Sequence, residues 1–360
     1  MASLPGTTSR PWTDLGVTRW SEIALGKVAI GVIALFVGVL IAGLTLPALL
    51  WLVCLFCALG IFGYALNDWC DRSVDAVAGK RNSFTGISSV QAAAFFALIA
   101  SLILLLALFA PAVAARGLIV LQLALAFAYS HAPLRLKARG AWGLIGVILA
   151  QYLVPSWIIL RSVPGAVGSD WMYLNAFALV HGLVLESGHQ RWDREHDRAA
   201  GVATFGATWP VSAVTALYRW CVPVLGLLIA LCPAYIAWRM VQSQGLSGAA
   251  LAELPLAGLT VLHAGRAFAD WRRDPTLDPF YGESSRALWR LYSYLPNCFI
   301  PLYLAVLIAV SAERGWVVLA ATLVWLRCLN LGSPSYSTRL PHYGFRWHAV
   351  QIASVLLLRR

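Results

Sequence analysis

The chain has 360 residues, 60% hydrophobic and only 12% charged, with 27 Lys and Arg against 16 Asp and Glu for a net charge of +11. The charged fraction is about half that of an ordinary soluble domain, and apolar runs of bilayer-crossing length recur, as in Ile30–Leu66 and Val90–Val113. These features exclude a soluble domain. They also exclude a nucleic-acid partner, because the cations lie between apolar runs, and a β-barrel, because the runs are continuous rather than alternating.

The polar start, "MASLPGTTSRPWTDLG", lacks the charged-then-apolar order of a secretory signal and reads as a cytoplasmic tail over residues 1–20. Residues 21–360 then read as one transmembrane domain. Its helices are expected at Lys27–Thr45, Pro47–Leu66, Val90–Ala110, Ala112–Tyr129, Ala141–Leu160, Trp171–Glu186, Val211–Trp238, Leu251–Ala267, Leu295–Ser311 and Trp316–Leu329. The fold class is therefore all-α, a polytopic helical bundle of about nine to ten spans. Arg219 interrupts the seventh helix, and "SVLLL" near the end is compatible with a further partly inserted helix. The seven cysteines are odd in number and mostly lie in apolar runs. Even the CxxC of Cys54 and Cys57 reads as small buried hydrophobes rather than a redox pair.

Alternating the sides of successive spans puts most Lys and Arg on one face, including Arg72, Lys80, Arg81, Arg135, Lys137, Arg191, Arg194 and Arg198. The opposite face has only Arg116, Arg161, Arg239 and Arg314. The positive-inside bias makes the first face cytoplasmic, in a cell (inner) membrane, with lipids as obligatory partners.

Two nonapeptides, "DRSVDAVAG" at Asp71–Gly79 and "DREHDRAAG" at Asp193–Gly201, share five of nine residues. An even number of helices separates them, so both lie on the cytoplasmic face. Asn67, Asp71 and Asp75 recur every four residues, as do Asp193 and Asp197, which aligns each set on one helix face. Like charges at that spacing repel unless a cation intervenes, and hard oxygen ligands of this kind suit Mg²⁺ completed by substrate phosphates. Solvated helix-end charge is the plainer explanation of one such set. Two related copies with Arg and Lys around them favour a metal-diphosphate site, because guanidinium groups bind the oxygens that metal leaves free. A third element, "YSHAPLRLKARG" at Tyr129–Gly140, supplies Arg135, Lys137 and Arg139 behind Pro133.

Together "NDWCDRSVD", "YSHAPLRLKARG" and "DREHDRAAG" resemble, in order and spacing, the motifs of the UbiA superfamily of intramembrane prenyltransferases. The likeness covers about Ser21 to Ala207; "KRNSFTG" at Lys80–Gly86 departs from the family's common "RP". The resemblance implies a bundle around a central cavity open to lipid, with Mg²⁺ as cofactor. The partners it implies are a prenyl diphosphate donor and a hydrophobic, aromatic acceptor. Asp71, Asp75, Asp193 and Asp197 would be catalytic and, with Asn67 and Asp68, would form the metal set. Asn67, Arg72, Lys80, Arg81, Tyr129, Arg135, Lys137, Arg194 and Arg198 would contact the diphosphate. A membrane terpene cyclase and phosphoribosyl transfer to a polyprenyl phosphate are rival reactions, and a transporter is a non-enzymatic rival.

Polar residues inside apolar helices are costly and invite a functional reading. They are Gln122, Gln151, Tyr152, His181, Glu186 and His189, with His189, Gln190 and Gln151 as acceptor-side candidates. Phe62, Tyr64, Trp69, Phe127 and Tyr129 lie near the motifs, where aromatic faces can stabilise an allyl cation. A third four-residue series, Asp270, Asp274 and Asp278, is broken by Pro275 and Pro279 and reads as part of a cytoplasmic loop over 268–294.

Overall fold

A computed structural model describes residues 45–77, 79, 82–245, 248–311, 316–320 and 322–323. The expected tail, the expected first helix (all but its last residue) and the "SVLLL" segment lie outside the described residues, as do Lys80 and Arg81. Helix α1 (Leu46–Val77) places Leu52, Leu55, Leu59, Phe62 and Leu66 on one buried stripe, the three-and-four spacing of a core-facing helix. It runs eleven residues past the expected end at Leu66 and carries Asn67, Asp71 and Asp75 of the first acidic motif.

Helix α2 (Ser89–Leu108) starts at a capping box, in which Ser88 and Gln91 satisfy each other's backbone N–H groups. Leu98, Leu102, Leu105 and Leu108 of α2 are exposed, an apolar surface of the kind that faces lipid. Helix α3 (Val113–Ser130) leads through a short 3-10 turn (Leu136–Ala138) into α4 (Ala141–Ile148). A π-helical segment (Leu149–Leu153) joins α4 to α5 (Val154–Ser162) within one continuous span.

Helix α6 (Gly168–Trp192) is the centre of the molecule, packing on α4, α5 and the long α9 (Val211–Gln244). At the end of α6 far from the motifs, Arg239 of α9 donates to Asp170 at 2.8 Å and 3.1 Å, fixing the two helices together. Between α6 and α9 lie the short α7 (Arg194–Ala199) and α8 (Phe205–Thr208). Helix α9 continues through Arg219, Pro223 and Pro233 where the sequence suggested an interruption. Helix α10 (Gly248–Arg273) packs along α9, followed by α11 (Arg286–Trp289), a π-helical stretch (Arg290–Phe299) and α12 (Ile300–Ser311).

The fold is all-helical among the described residues. Five helical spans are long and apolar enough to cross a membrane. The expected nine to ten are not reached within these residues: α6 and α10 have the length, 25 and 26 residues, but carry charged side chains at their ends. The expected loop 268–294 is helical at both ends, because α10 persists to Arg273 before Pro275 stops it. The true connection is residues 274–285.

Candidate active site

The last turns of α1 hold Asn67, Asp71 and Asp75 on adjacent turns, and their mutual repulsion is offset by cations from the 3-10 turn. Lys137 donates from Nζ to Asn67 Oδ1 at 2.8 Å and to Asp71 Oδ2 at 2.6 Å. Arg135 Nη2 reaches Asp71 Oδ1 at 3.2 Å. To do so Arg135 takes a left-handed backbone (φ 37°, ψ 56°), a strained state for a non-glycine residue of the kind that clusters at functional sites. Lys137 is only 8% exposed, and burial pulls its ammonium below the usual lysine range while Asp71 partly opposes the shift.

The connection after α1 braces the motif from the other side. Asn82 Nδ2 donates to the Asp68 carbonyl at 2.6 Å and to Asp75 Oδ2 at 2.7 Å, and Ser83 Oγ donates to Asp68 Oδ2 at 2.7 Å. Asp68 is therefore engaged by this connection, apart from the face shared by Asn67 and Asp71. Arg72 also turns away, its guanidinium 3.3 Å above the Trp69 ring and its Nε donating to the Trp69 carbonyl.

In the second motif, Asp193 caps α6 and starts the bend into α7, yet the Asp197 N–H still donates to the Asp193 carbonyl at 2.8 Å. The four-residue spacing thus survives the break between α6 and α7. His189 Nε2 lies 3.5 Å from Asp193 Oδ2, and Thr204 Oγ1 donates to Asp197 Oδ2 at 2.8 Å. Gln190 accepts from the Gly206 N–H, Arg194 binds the carbonyls of Gly206 and Trp209, and Arg198 binds the carbonyl of Ala207. These three side chains hold the α7–α8 connection. Gly206 permits this packing: an added Cβ would stand 2.1 Å from the Gln190 carbonyl oxygen.

The two loops are tied to each other. Gly140, at φ 55° and ψ −122°, donates its N–H to the Ala203 carbonyl at 2.7 Å, a conformation suited to glycine. The basic turn on Asp71 and the turn on Asp197 are therefore one unit.

The third acidic series has a different role. Asp278 is buried in the connection 274–285. One carboxylate oxygen accepts from Tyr218 Oη at 2.7 Å and from the N–H groups of Phe280 and Tyr281 at 2.9 Å and 2.8 Å. The other oxygen pairs with Arg191, whose guanidinium lies 4.6 Å over the Tyr218 ring. Tyr281 Oη donates to the Leu185 carbonyl at 3.0 Å, and its ring lies 6.3 Å from that of His189. The connection is thereby clamped onto the last turns of α6, next to Asp193.

A cavity of about 280 Å³ opens between α1, α3, the α4–α5 span and α6. Asn67 of the first motif, Tyr129, His189 one turn before the second motif, and the expected acceptor-side residue Gln151 line it. Deeper walls include Phe56, Leu59, Phe62 and Ile159. Phe56 lies eleven residues before Asn67 on α1, so the lining extends roughly 16 Å along that helix. Phe62, Tyr64 and Tyr129 face this space, whereas Trp69 packs on Phe84 and Phe127 lies beside the Phe62 ring.

Among the described residues no three His, Cys, Asp or Glu side chains converge on one point. The donor set still suits Mg²⁺, which takes one or two carboxylates and completes its shell with water and phosphate oxygens. Asp71 with Asn67 would hold one such ion and Asp193 another, each through hard oxygens. Asn82, Ser83 and Thr204, which brace Asp75, Asp68 and Asp197, carry no sequence signal of their own, because a neutral residue in a loop matches no spacing rule.

A model of the UbiA prenyltransferase family matches residues 31–281. No curated protein matches the chain in sequence. Among solved structures, a UbiA homolog from Archaeoglobus fulgidus bound to GPP and Mg²⁺ is similar at TM-score 0.54 and 18% identity, covering 85% of this chain and 98% of that one. The same homolog bound to DMAPP and Mg²⁺ gives TM-score 0.54 at 17% identity, over 85% of this chain and 97% of that one. A digeranylgeranylglyceryl phosphate synthase structure gives TM-score 0.50 at 14% identity, over 80% and 96%. With the family model covering well over half its length, this integral membrane protein belongs to the UbiA prenyltransferase family.

Proposed function

We propose that the protein transfers a prenyl group from an isoprenyl diphosphate to a lipophilic aromatic acceptor within the membrane, with Mg²⁺ as cofactor and release of diphosphate. The observation that carries this reading is that Asn67, which shares Lys137 with Asp71, and His189, one turn before Asp193, line the same largely apolar cavity. The related structures holding GPP or DMAPP with Mg²⁺ support the donor class. The motif end of the bundle faces the cytoplasm in this reading, where the excess of Lys and Arg lies.

The diphosphate sits at the motifs and the prenyl chain runs down the cavity. Bound Mg²⁺ supplies positive charge that stabilises the departing diphosphate. Lys137 and Arg135, which lie against Asp71, would neutralise phosphate oxygens of a donor bound there, with Arg198, Lys80 and Arg81 as further cations. Phe62, Tyr64 and Tyr129 present ring faces to the allyl cation, and the apolar walls keep water from quenching it.

Purified Asp71→Asn and Asp193→Asn variants are the direct test. Each is expected to lose Mg²⁺-dependent diphosphate release from geranyl diphosphate by at least about 100-fold, the scale of losing a stabilising group at a developing charge; Asp193→Asn should melt like the wild type, and Asp71→Asn, which loses the charge facing Lys137 and Arg135, about 3 °C lower. Full activity in either variant refutes the assignment.

A further inference from the structure

The carboxylates of the two acidic motifs are not supported alike. Asp71 accepts from Lys137 and Arg135, Asp75 from Asn82, and Asp197 from Thr204. Asp193 has no such brace: among the described residues its carboxylate is met only by His189 Nε2, at 3.5 Å. Asp193 also ends α6, and its N–H donates to the His189 carbonyl. What holds Asp193 is therefore what holds His189 and the last turns of α6.

That hold comes from the connection 274–285. Leu185, Gly188 and Arg191 of α6 are spaced by three, one of the rows in which residues on a helix surface form a ridge. The connection lies along this row. Tyr281 Oη donates to the Leu185 carbonyl at 3.0 Å, and Asp278 pairs with the Arg191 guanidinium. Between these anchors, an added Cβ on Gly188 would stand 2.7 Å from the Tyr281 ring and 2.8 Å from that of Tyr218. Glycine weakens a helix interior relative to alanine, so its presence here serves the close approach of the two rings. His189 borders the same row, and its ring centre lies 6.3 Å from that of Tyr281.

We propose that Tyr281 and Asp278 are positioning residues for the second acidic motif: they fix the last two turns of α6 so that His189 backs Asp193 and the Asp193 carboxylate is set for the donor. This rests on the transferase reading above. Neither side chain touches the donor; each acts through α6. With the connection in place, the end of α6 stands in one arrangement, and without it that arrangement is one of several. The apparent dissociation constant of the donor then rises by the reciprocal of the fraction that remains competent. The rate at saturation changes little, because bound donor itself holds the motif.

The test uses the full chain in detergent and titrates tritiated geranyl thiolodiphosphate, an unreactive donor analogue, at stepped Mg²⁺ concentrations. Tyr281→Phe keeps the ring and loses the bond to Leu185, whereas Gly188→Ala keeps every polar group and pushes the rings off α6. Each should weaken Mg²⁺-dependent analogue binding about five- to tenfold, the scale of one lost hydrogen bond. Asp278→Asn, which releases Arg191, should act in the same direction. Diphosphate release from geranyl diphosphate, at saturating donor and Mg²⁺, should stay within about twofold of wild type. A connection that only stabilised the fold would lower the melting temperature and leave the binding curves in place. Analogue affinity within about twofold of wild type in Tyr281→Phe and Gly188→Ala therefore overturns the proposal, and Tyr281→Phe decides alone where Gly188→Ala does not fold. A saturated rate about tenfold lower with affinity unchanged also overturns it, since Tyr281 would then act in the chemistry. Failure of the donor-site reading is separate: it appears as retained diphosphate release in Asp71→Asn or Asp193→Asn.

Discussion

Replacing Asp278 with alanine is expected to release the 274–285 connection and destabilise the end of α6. The carboxylate serves four donors: Tyr218 Oη, the N–H groups of Phe280 and Tyr281, and the Arg191 guanidinium. Alanine leaves all four without this partner. Removing one member of a buried ion pair costs about 3–5 kcal/mol. The Asp278 side chain is 7% exposed but that of Arg191 is 25% exposed, so water recovers part of the loss and the lower end, about 3 kcal/mol, applies. Asparagine keeps a side-chain acceptor and loses only the charge, for roughly 1–2 kcal/mol. At about 2 °C per kcal/mol for a large chain, alanine should lower the melting temperature by about 6 °C and asparagine by about 3 °C. Trypsin gives an independent reading, because exposed Arg272, Arg273 and Arg286 flank the connection. Cleavage there should speed up in the order wild type, Asn, Ala. An alanine variant that melts within 1 °C of wild type, with unchanged tryptic cleavage, refutes the clamp.

Two further outcomes follow from the loops around the motifs. Lys137 is pushed below its ordinary value of 10.5 by burial, so the folded protein holds fewer protons than the unfolded chain between that lowered value and 10.5. Its contribution to stability therefore increases with pH across that window, whereas donor affinity, which needs the ammonium, decreases. Lys137→Arg should carry donor binding to higher pH, and Lys137→Met should weaken it about tenfold below the window in which Lys137 loses its proton and converge with wild type above it; an alkaline limb unchanged in Lys137→Arg contradicts this. Gly206→Ala should cost at least roughly 1–3 kcal/mol, since its Cβ would lie 2.1 Å from the Gln190 carbonyl oxygen and backbone must shift. A melting curve matching wild type would show that the α7–α8 connection yields freely.

The helical bundle and both acidic motifs were legible in the amino-acid order because each rests on short-range periodicity. Apolar runs define spans, and a four-residue recurrence defines a helix face whatever the rest of the chain does. The same locality explains the misplacements. Helix ends differ from the expected ones where polarity suggests a boundary: α1 runs on to Val77 through its own acids, since Lys137 and Arg135, more than sixty positions away, neutralise Asp71. Arg72 and Arg194 belong to the motifs by position and Gln190 lies just before the second, yet all three are engaged elsewhere, because adjacent residues on a helix point about 100° apart.

The sequence alone therefore determined what kind of solvent surrounds this protein and which residue types gather at one end of its helices. Tertiary structure alone decided which of those residues share a cavity. It put Asn67 and His189 on the wall of one cavity, set Tyr152 against Glu186, and turned the third acidic series into a clamp through Asp278. The physical reason is that charge and hydrogen bonding act through space. A carboxylate takes its role from the donor that reaches it, and that donor is brought by folding from a distant part of the chain.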